Sequence, residues 1–216
     1  MAARALLVGL TGALASGKST VLALYREHGA GTIDADIIAR EVLAPGSPLL
    51  ARVRTEFGDQ VFAPGGVLDR ARLAQVVFRD GERRQALEAI VHPEVMRREE
   101  EAAARLAAAG HAIVVADIPL LYEVGREGRF DRIVVVACPE PIQVARAVAR
   151  GMSESDARHR IASQLPIHEK AARADYRVDS SGTLEETRTR ALAVWLRLEQ
   201  DARRVRAGLR LEAPPG

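Results

Sequence analysis

The chain has 216 residues, a length that suits one folded domain with room for inserted lobes. With 48% hydrophobic residues the chain can bury a core, so we exclude wholesale disorder. No apolar run reaches the ~18 residues of a membrane span, so we expect no membrane partner. The net charge is only +2, with basic residues scattered among acidic ones, so we expect no nucleic-acid partner. The single cysteine, Cys138, excludes an intramolecular disulfide and favours a buried strand-end residue in a cytoplasmic protein.

Short apolar segments along the chain predict five β-strands, at residues 5–10, 31–34, 111–119, 132–138 and 176–181. The N-terminal MAARALLVGLTG loosely mimics a secretion signal, but cleavage there would destroy a glycine-rich loop, so we expect a core strand. Helical patterns fall between and after the strands, at residues 19–29, 35–44, 97–110, 139–151 and 183–206. This alternation predicts a three-layer α/β fold, with a five-stranded parallel sheet covered by helices on both faces.

Two regions interrupt this alternation. Residues 41–104 are mostly helical in pattern but are broken by APGSP and FAPGGV, and residues 151–175 are polar, arginine-containing and helical in pattern. Both are expected to be insertions at strand ends, where open α/β sheets place their ligands. We therefore expect one domain over residues 1–216, ending in a loose tail at 209–216.

A glycine-rich loop follows the first strand. Its sequence GALASGKS matches the phosphate-binding pattern G-x-x-x-x-G-K-[ST] between an apolar strand and a helix. Glycines let backbone amides approach phosphate oxygens, Lys18 would add a charge at the β- and γ-phosphates, and the Ser19 hydroxyl would ligate Mg²⁺. The residues predicted to bind the nucleoside triphosphate here are Gly12, Ala13, Leu14, Ala15, Ser16, Gly17, Lys18, Ser19 and Thr20.

The rest of the sequence favours a kinase. A GTPase would carry a guanine-reading N-K-x-D segment, which is absent, and the chain is short for a motor ATPase. Asp34 and Asp36 end the second strand, and an extended chain would point both carboxylates to the same side. Either could take the proton of an acceptor hydroxyl, hold a metal-bound water or cap the next helix. Arg40, one turn later, could pair with an acidic acceptor group or with either aspartate.

Further candidates lie after the third strand and in the insertions. Asp117 resembles the strand-end acid that reaches Mg²⁺ in P-loop proteins, although it could also cap a turn. Arg146 and Arg150 share a helix face and could cover the phosphates as part of a lid over residues 139–175. His92 precedes a proline and is therefore biased away from helix, so we expect a bend there.

Together these segments resemble the dephospho-CoA kinase family over about residues 7–182. The resemblance depends on GLTGALASGKST, IDADIIAREVLAPGSP, VHPEV, ADIPLLYE and ASQLPIHEKAARADYRVDSSG, in this order. It implies transfer of the ATP γ-phosphate to the ribose 3′-hydroxyl of dephospho-CoA. It also implies a P-loop kinase core with a helical CoA-binding insertion at 41–104 and a lid. We expect a monomer or weak homo-oligomer.

By position, the resemblance makes Asp36 the residue that accepts the hydroxyl proton, with Asp34 as the reserve candidate. It places the acceptor beside Arg40, His92, Pro119, Leu120 and Leu121. Arg146 or Arg150 would act in the lid, and the turn from Asp179 to Gly182 would lie beside adenine.

The chain departs from the family pattern at three positions. Ala13 and Ala15 stand where the family loop usually has glycine, and a β-carbon penalises positive φ. Ser180 replaces the asparagine of the family's D-N-x-G turn. None of these changes touches Lys18 or the aspartate pair, so we interpret the chain as an active enzyme, with another P-loop nucleotide or small-molecule kinase as the alternative.

Overall fold

A computed structural model describes residues 4–214, except for the side chain of Arg79. Its contacts divide the chain into two compact units. The core unit contains residues 4–33 and 103–214, and the helical unit contains residues 34–102. The helical unit covers most of the insertion that the sequence predicts at 41–104.

Five strands form one sheet in the order β2-β3-β1-β4-β5. Their bounds are Leu6–Gly12 (β1), Gly31–Asp34 (β2), Ile113–Asp117 (β3), Arg132–Ala137 (β4) and Tyr176–Asp179 (β5). The sheet is parallel, with β1 paired to both β3 and β4 and β4 paired to β5. The predicted α/β fold is confirmed, and the fifth strand is the edge strand beside β4.

The helices lie between and after the strands. Their bounds are Lys18–Glu27 (α1), Ala35–Glu41 (α2), Leu49–Phe57 (α3), Arg70–Arg79 (α4), Gly81–Ala108 (α5), Glu140–Ala149 (α6), Glu154–Ala162 (α7), Ile167–Ala172 (α8) and Leu184–Arg206 (α9). Short 3-10 turns span Asp59–Val61 and Glu127–Arg129. In the described part of the chain, no helix is long and apolar enough to cross a membrane.

Apolar side chains cover both faces of β1 because successive residues of a strand point to opposite sides. On one face, Val8 and Leu10 pack with α1 and α9, where the rings of Tyr25 and Trp195 lie 5.4 Å apart. On the other face, a Cβ added to Gly9 would lie 2.6 Å from Leu121, so the glycine lets that side chain lie close to the strand. The sheet is therefore a buried middle layer.

The capping box predicted at the start of α9 is confirmed. Thr183 accepts a hydrogen bond from the Glu186 amide at 3.2 Å, and the Glu186 carboxylate accepts one from the Thr183 amide at 2.7 Å. Cys138 is buried directly after β4, as expected. The residue types near the start of α9 and at Cys138 were therefore sufficient to predict the capping box and the burial of the cysteine.

The helical unit has its own apolar core, in which Val53 and Phe57 of α3 pack with Ile90 and Val95 of α5. Its helices are interrupted where the sequence has APGSP and FAPGGV, as predicted. The expected departure from helix at His92 is wrong: α5 continues through His92 and the following proline without ending. Packing of the long helix outweighs the local preference of a pre-proline residue.

The C-terminal segment that the sequence predicts to be a loose tail makes several contacts up to residue 214. The Glu212 carboxylate pairs with Arg204 at 2.8 Å, and the Glu212 carbonyl accepts a hydrogen bond from the buried Arg132 guanidinium. Leu211 packs against the core of the sheet and α9. Residues 215 and 216 lie outside the described part of the chain.

Candidate active site

The loop between β1 and α1 has the backbone that the glycine pattern predicts. Gly17 caps α1 in the left-handed conformation, with φ = 87°. A Cβ on Gly12 would lie 2.5 Å from the Ser16 hydroxyl and 2.6 Å from the Val136 carbonyl, so only glycine fits there. The loop lines a cavity of about 230 Å³ together with Pro119, Arg150 and Gln164.

Lys18 and Asp117 form an ion pair beside this loop. Their side chains are only 16% and 15% exposed, so the pair is shielded from solvent. Asp117 lies at the end of β3, next to β1 in the sheet, which explains how residues 99 positions apart meet. A bound phosphate would compete with the aspartate for the lysine because both present anionic oxygens.

The two alanines that replace family glycines differ in conformation. Ala15 has φ = 54° and is the only non-glycine residue with positive φ in the described chain. Ala13 is buried and does not have positive φ. The penalty that the sequence predicts for a β-carbon therefore applies to Ala15 alone.

The turn after β5 is connected to the P-loop through Ser180. This buried serine lies within hydrogen-bond distance of the Ser16 carbonyl (2.6 Å) and the Ala137 carbonyl (3.1 Å), and its single hydroxyl proton can serve one of them at a time. Arg146 donates to the Ser180 carbonyl at 2.7 Å. Arg146 thus supports this turn, whereas Arg150 lines the cavity at the loop.

The remaining turn residues are fixed by α9. The Asp179 carboxylate accepts a hydrogen bond from the Ser181 amide at 2.9 Å and pairs with Arg190 at 2.8 Å. Hydrogen bonds from Ser181, followed by the charge of Arg190, lower the pKa of Asp179. A Cβ on Gly182 would lie 2.1 Å from the Glu186 carboxylate, so a larger residue there would displace the side chain that completes the capping box.

In the helical unit, the two aspartates have different surroundings. Asp34 caps α2, accepting a hydrogen bond from the Ile37 amide at 3.0 Å, whereas the Asp36 carboxylate is exposed in the first turn and has no hydrogen bond or ion pair with the described side chains of the unit. The expected extended arrangement is wrong, because α2 begins at Ala35 and Asp36 is helical. Arg40 is exposed in the last turn of α2, and His92 is half-buried on α5.

Sequence reasoning missed three residues near the loop: Gln164, Glu123 and Lys170. Gln164 accepts a hydrogen bond from the Leu14 amide at 3.1 Å. Lys170 is completely buried, pairs with Glu123 at 2.6 Å and donates to the Pro119 carbonyl at 3.1 Å. One signal was available, since Lys18 and Lys170 are the only lysines in an arginine-rich chain.

The P-loop connects the central parallel strand β1 to α1, and its Lys18 pairs with the strand-end Asp117. This arrangement is that of a P-loop kinase fold. The family model for dephospho-CoA kinase matches residues 6–186. The chain therefore belongs to the dephospho-CoA kinase family, and it is a phosphotransferase.

Curated relatives and solved structures agree with this assignment. The chain is 44% identical to the dephospho-CoA kinase of Syntrophotalea carbinolica over 194 residues, which are 89% of this chain and 92% of the relative. It is 48% identical to that of Anaeromyxobacter dehalogenans over 179 residues, 82% of this chain and 85% of the relative. The structure of a Campylobacter jejuni dephospho-CoA kinase superposes with a TM-score of 0.68 at 25% identity, covering 90% of this chain and 98% of that one. The family that the motifs predicted is confirmed.

Proposed function

We propose that this chain transfers the γ-phosphoryl group of ATP to the ribose 3′-hydroxyl of dephospho-CoA, giving coenzyme A and ADP. The observation that carries the proposal is the shielded Lys18–Asp117 pair beside a P-loop cavity in a chain that belongs to this family. Phosphoryl transfer depends mainly on positioning and on charge stabilisation, which these residues can supply.

The nucleotide would bind along the loop from Gly12 to Thr20. Backbone amides at the start of α1 would hold phosphate oxygens, and Lys18 would exchange Asp117 for the phosphates. Arg150 already lines the cavity and would add a second cation there. Adenine would lie at the turn from Asp179 to Gly182, where the donor of the Ser180 hydroxyl is already directed at carbonyls of the protein.

The loop also offers oxygen ligands suited to Mg²⁺. Ser19 is exposed in the first turn of α1, and Asp117 lies at the end of β3. Mg²⁺ is commonly held by one or two protein oxygens together with phosphates and water, and Ser19 and Asp117 could supply such oxygens. Bound there, Mg²⁺ would neutralise phosphate charge.

Asp36 is the proposed acceptor of the hydroxyl proton. Its carboxylate is exposed and has no partner in the helical unit, whereas the Asp34 carboxylate caps α2. A general base needs a free carboxylate oxygen within reach of the proton, and Asp36 has both oxygens available.

The residues proposed to contact the acceptor are Arg40, His92, Pro119, Leu120 and Leu121. Leu120 is 42% exposed, which suits an apolar contact with the acceptor. We further propose that α6, α7 and α8 form a lid over the nucleotide, with Arg146 anchoring its base. The protein is proposed to be cytoplasmic, to bind no nucleic acid, and to act as a monomer or weak homo-oligomer.

Replacing each aspartate separately tests the assignment of the base. Asp36→Asn is expected to lower turnover with Mg-ATP and dephospho-CoA by a factor of about 10²–10⁴, while ATP binding persists. Asp34→Asn, the matched control, retains an amide oxygen that can cap α2 and should leave most of the turnover. Loss of turnover in Asp34→Asn together with a nearly normal Asp36→Asn would reverse the assignment.

A further inference from the structure

Gln164 lies in the connection between α7 and α8 and lines the same cavity as the P-loop. Its side-chain oxygen Oε1 accepts a hydrogen bond from the Leu14 amide of the loop at 3.1 Å. A residue of the proposed lid region is thus hydrogen-bonded to the loop.

The orientation of this side chain follows from its partner. The Leu14 amide is a donor, so only the oxygen of the Gln164 amide group can face it. The NH₂ group then remains as a pair of donors, and it has no hydrogen-bond partner among residues 4–214. Gln164 therefore occupies one amide of the loop and offers two N–H groups at the same cavity.

The main chain beside Gln164 is held by a network that ends at a buried lysine. The neighbouring Leu165 amide donates to the Glu123 carboxylate at 2.9 Å, and Glu123 pairs with the fully buried Lys170 at 2.6 Å. Lys170 also donates to the carbonyl of Pro119, a residue that lines the cavity. Such a network holds Gln164 in place, so little entropy is lost when its NH₂ group binds an anion.

The lysine of the loop indicates which phosphate Gln164 would meet. In a P-loop, the backbone amides cradle the α- and β-phosphates, and the lysine reaches the β- and γ-phosphates. Gln164 lines the same cavity as Lys18, so its NH₂ group lies where the lysine would meet the terminal phosphate.

We propose that Gln164 is a γ-phosphate ligand, whose Nε2 donates to an oxygen of the transferred phosphoryl group and so distinguishes ATP from ADP. This rests on the proposed function, since it takes ATP to be the bound nucleotide. A neutral donor at the γ-phosphate adds a hydrogen bond to a charged group without adding another cation to the site.

Calorimetric titration with β,γ-imido-ATP and with ADP, both in Mg²⁺, tests this for the unmodified protein and two variants. Gln164→Glu keeps an oxygen for the Leu14 amide but loses the NH₂ group and adds a negative charge. Gln164→Met adds no charge, but it loses both the NH₂ group and the oxygen that accepts from the Leu14 amide. Gln200→Glu, on the exposed face of α9, is the matched control for the same change of charge.

We expect Gln164→Glu to weaken the binding of β,γ-imido-ATP by about tenfold to a hundredfold, and Gln164→Met to weaken it by about tenfold. The affinity for ADP should change less than about threefold in both variants. Gln200→Glu should change neither nucleotide, and thermal unfolding of all three variants should stay close to that of the unmodified protein. Equal weakening of both nucleotides, or no weakening, would overturn the role of Gln164. An unmodified protein that bound neither nucleotide would instead contradict the proposed function itself.

Discussion

Removing the charge of Lys170 should destabilise the protein far more than removing the charge of an exposed residue. Lys170→Met keeps the approximate length of the side chain but leaves the Glu123 carboxylate without its cation. Lys170 is 0% exposed and Glu123 is 19% exposed, so water can compensate for the loss only in part. The Pro119 carbonyl loses one donor but keeps the Thr11 hydroxyl at 3.1 Å.

The expected magnitude follows from these contacts. Removing one partner of a buried ion pair lowers the free energy of unfolding by about 3–5 kcal/mol. Because the Leu165 amide still donates to Glu123, we expect a loss near the lower end, about 3 kcal/mol. For a chain of this length, that corresponds to a fall of roughly 6–12 °C in Tm. Lys170→Met/Glu123→Gln should lose less than Lys170→Met alone, because no uncompensated charge remains.

Urea unfolding followed by circular dichroism measures these free energies. Arg188→Met is the matched control, since Arg188 pairs with Glu27 at 2.7 Å but both side chains are about half exposed. That change should cost less than about 1 kcal/mol. The reasoning is refuted if Lys170→Met costs no more than Arg188→Met, or if the double variant is less stable than Lys170→Met.

Two further changes test backbone strain and pH dependence. Ala15→Gly should raise the free energy of unfolding by about 0.5–1 kcal/mol because it relieves a positive φ. Ala13→Gly should lower the free energy of unfolding, and urea unfolding measures both changes. Burial, followed by the hydrogen bond to Asp201, raises the pKa of Tyr176 to about 12. The folded state therefore holds this proton more tightly, so the stabilisation is complete below about pH 10 and is lost as pH rises towards 12. Stability should fall less steeply over that range in Tyr176→Phe, and an unchanged slope would contradict this.

The sheet and the phosphate loop could be predicted because their signals are local. Val/Ile-rich segments define strands, and the spacing of Gly12, Gly17 and Lys18 defines the loop. The capping box of α9 could be found for the same reason. Each of these features depends on residues that are close in sequence.

The rest of the site depends on contacts between distant residues or on competition between local preferences. The sequence left open whether Asp34 caps a helix, and the backbone at Ala35 resolves this in favour of the cap. Gln164 meets Leu14 across 150 positions, and Lys170 meets Pro119 across 51, so no local pattern could identify either contact. Arg146 shares a helix face with Arg150, but only the tertiary structure shows that it supports the turn at Ser180.

Release of ADP from Mg-ATP by the purified protein, with and without dephospho-CoA, tests the central claim most directly. AMP, CMP, pantetheine phosphate and shikimate serve as alternative acceptors in parallel reactions. The account predicts ADP release that depends on dephospho-CoA, with a product identical to authentic coenzyme A by mass and retention. ADP release with one of the other acceptors, and none with dephospho-CoA, would contradict it.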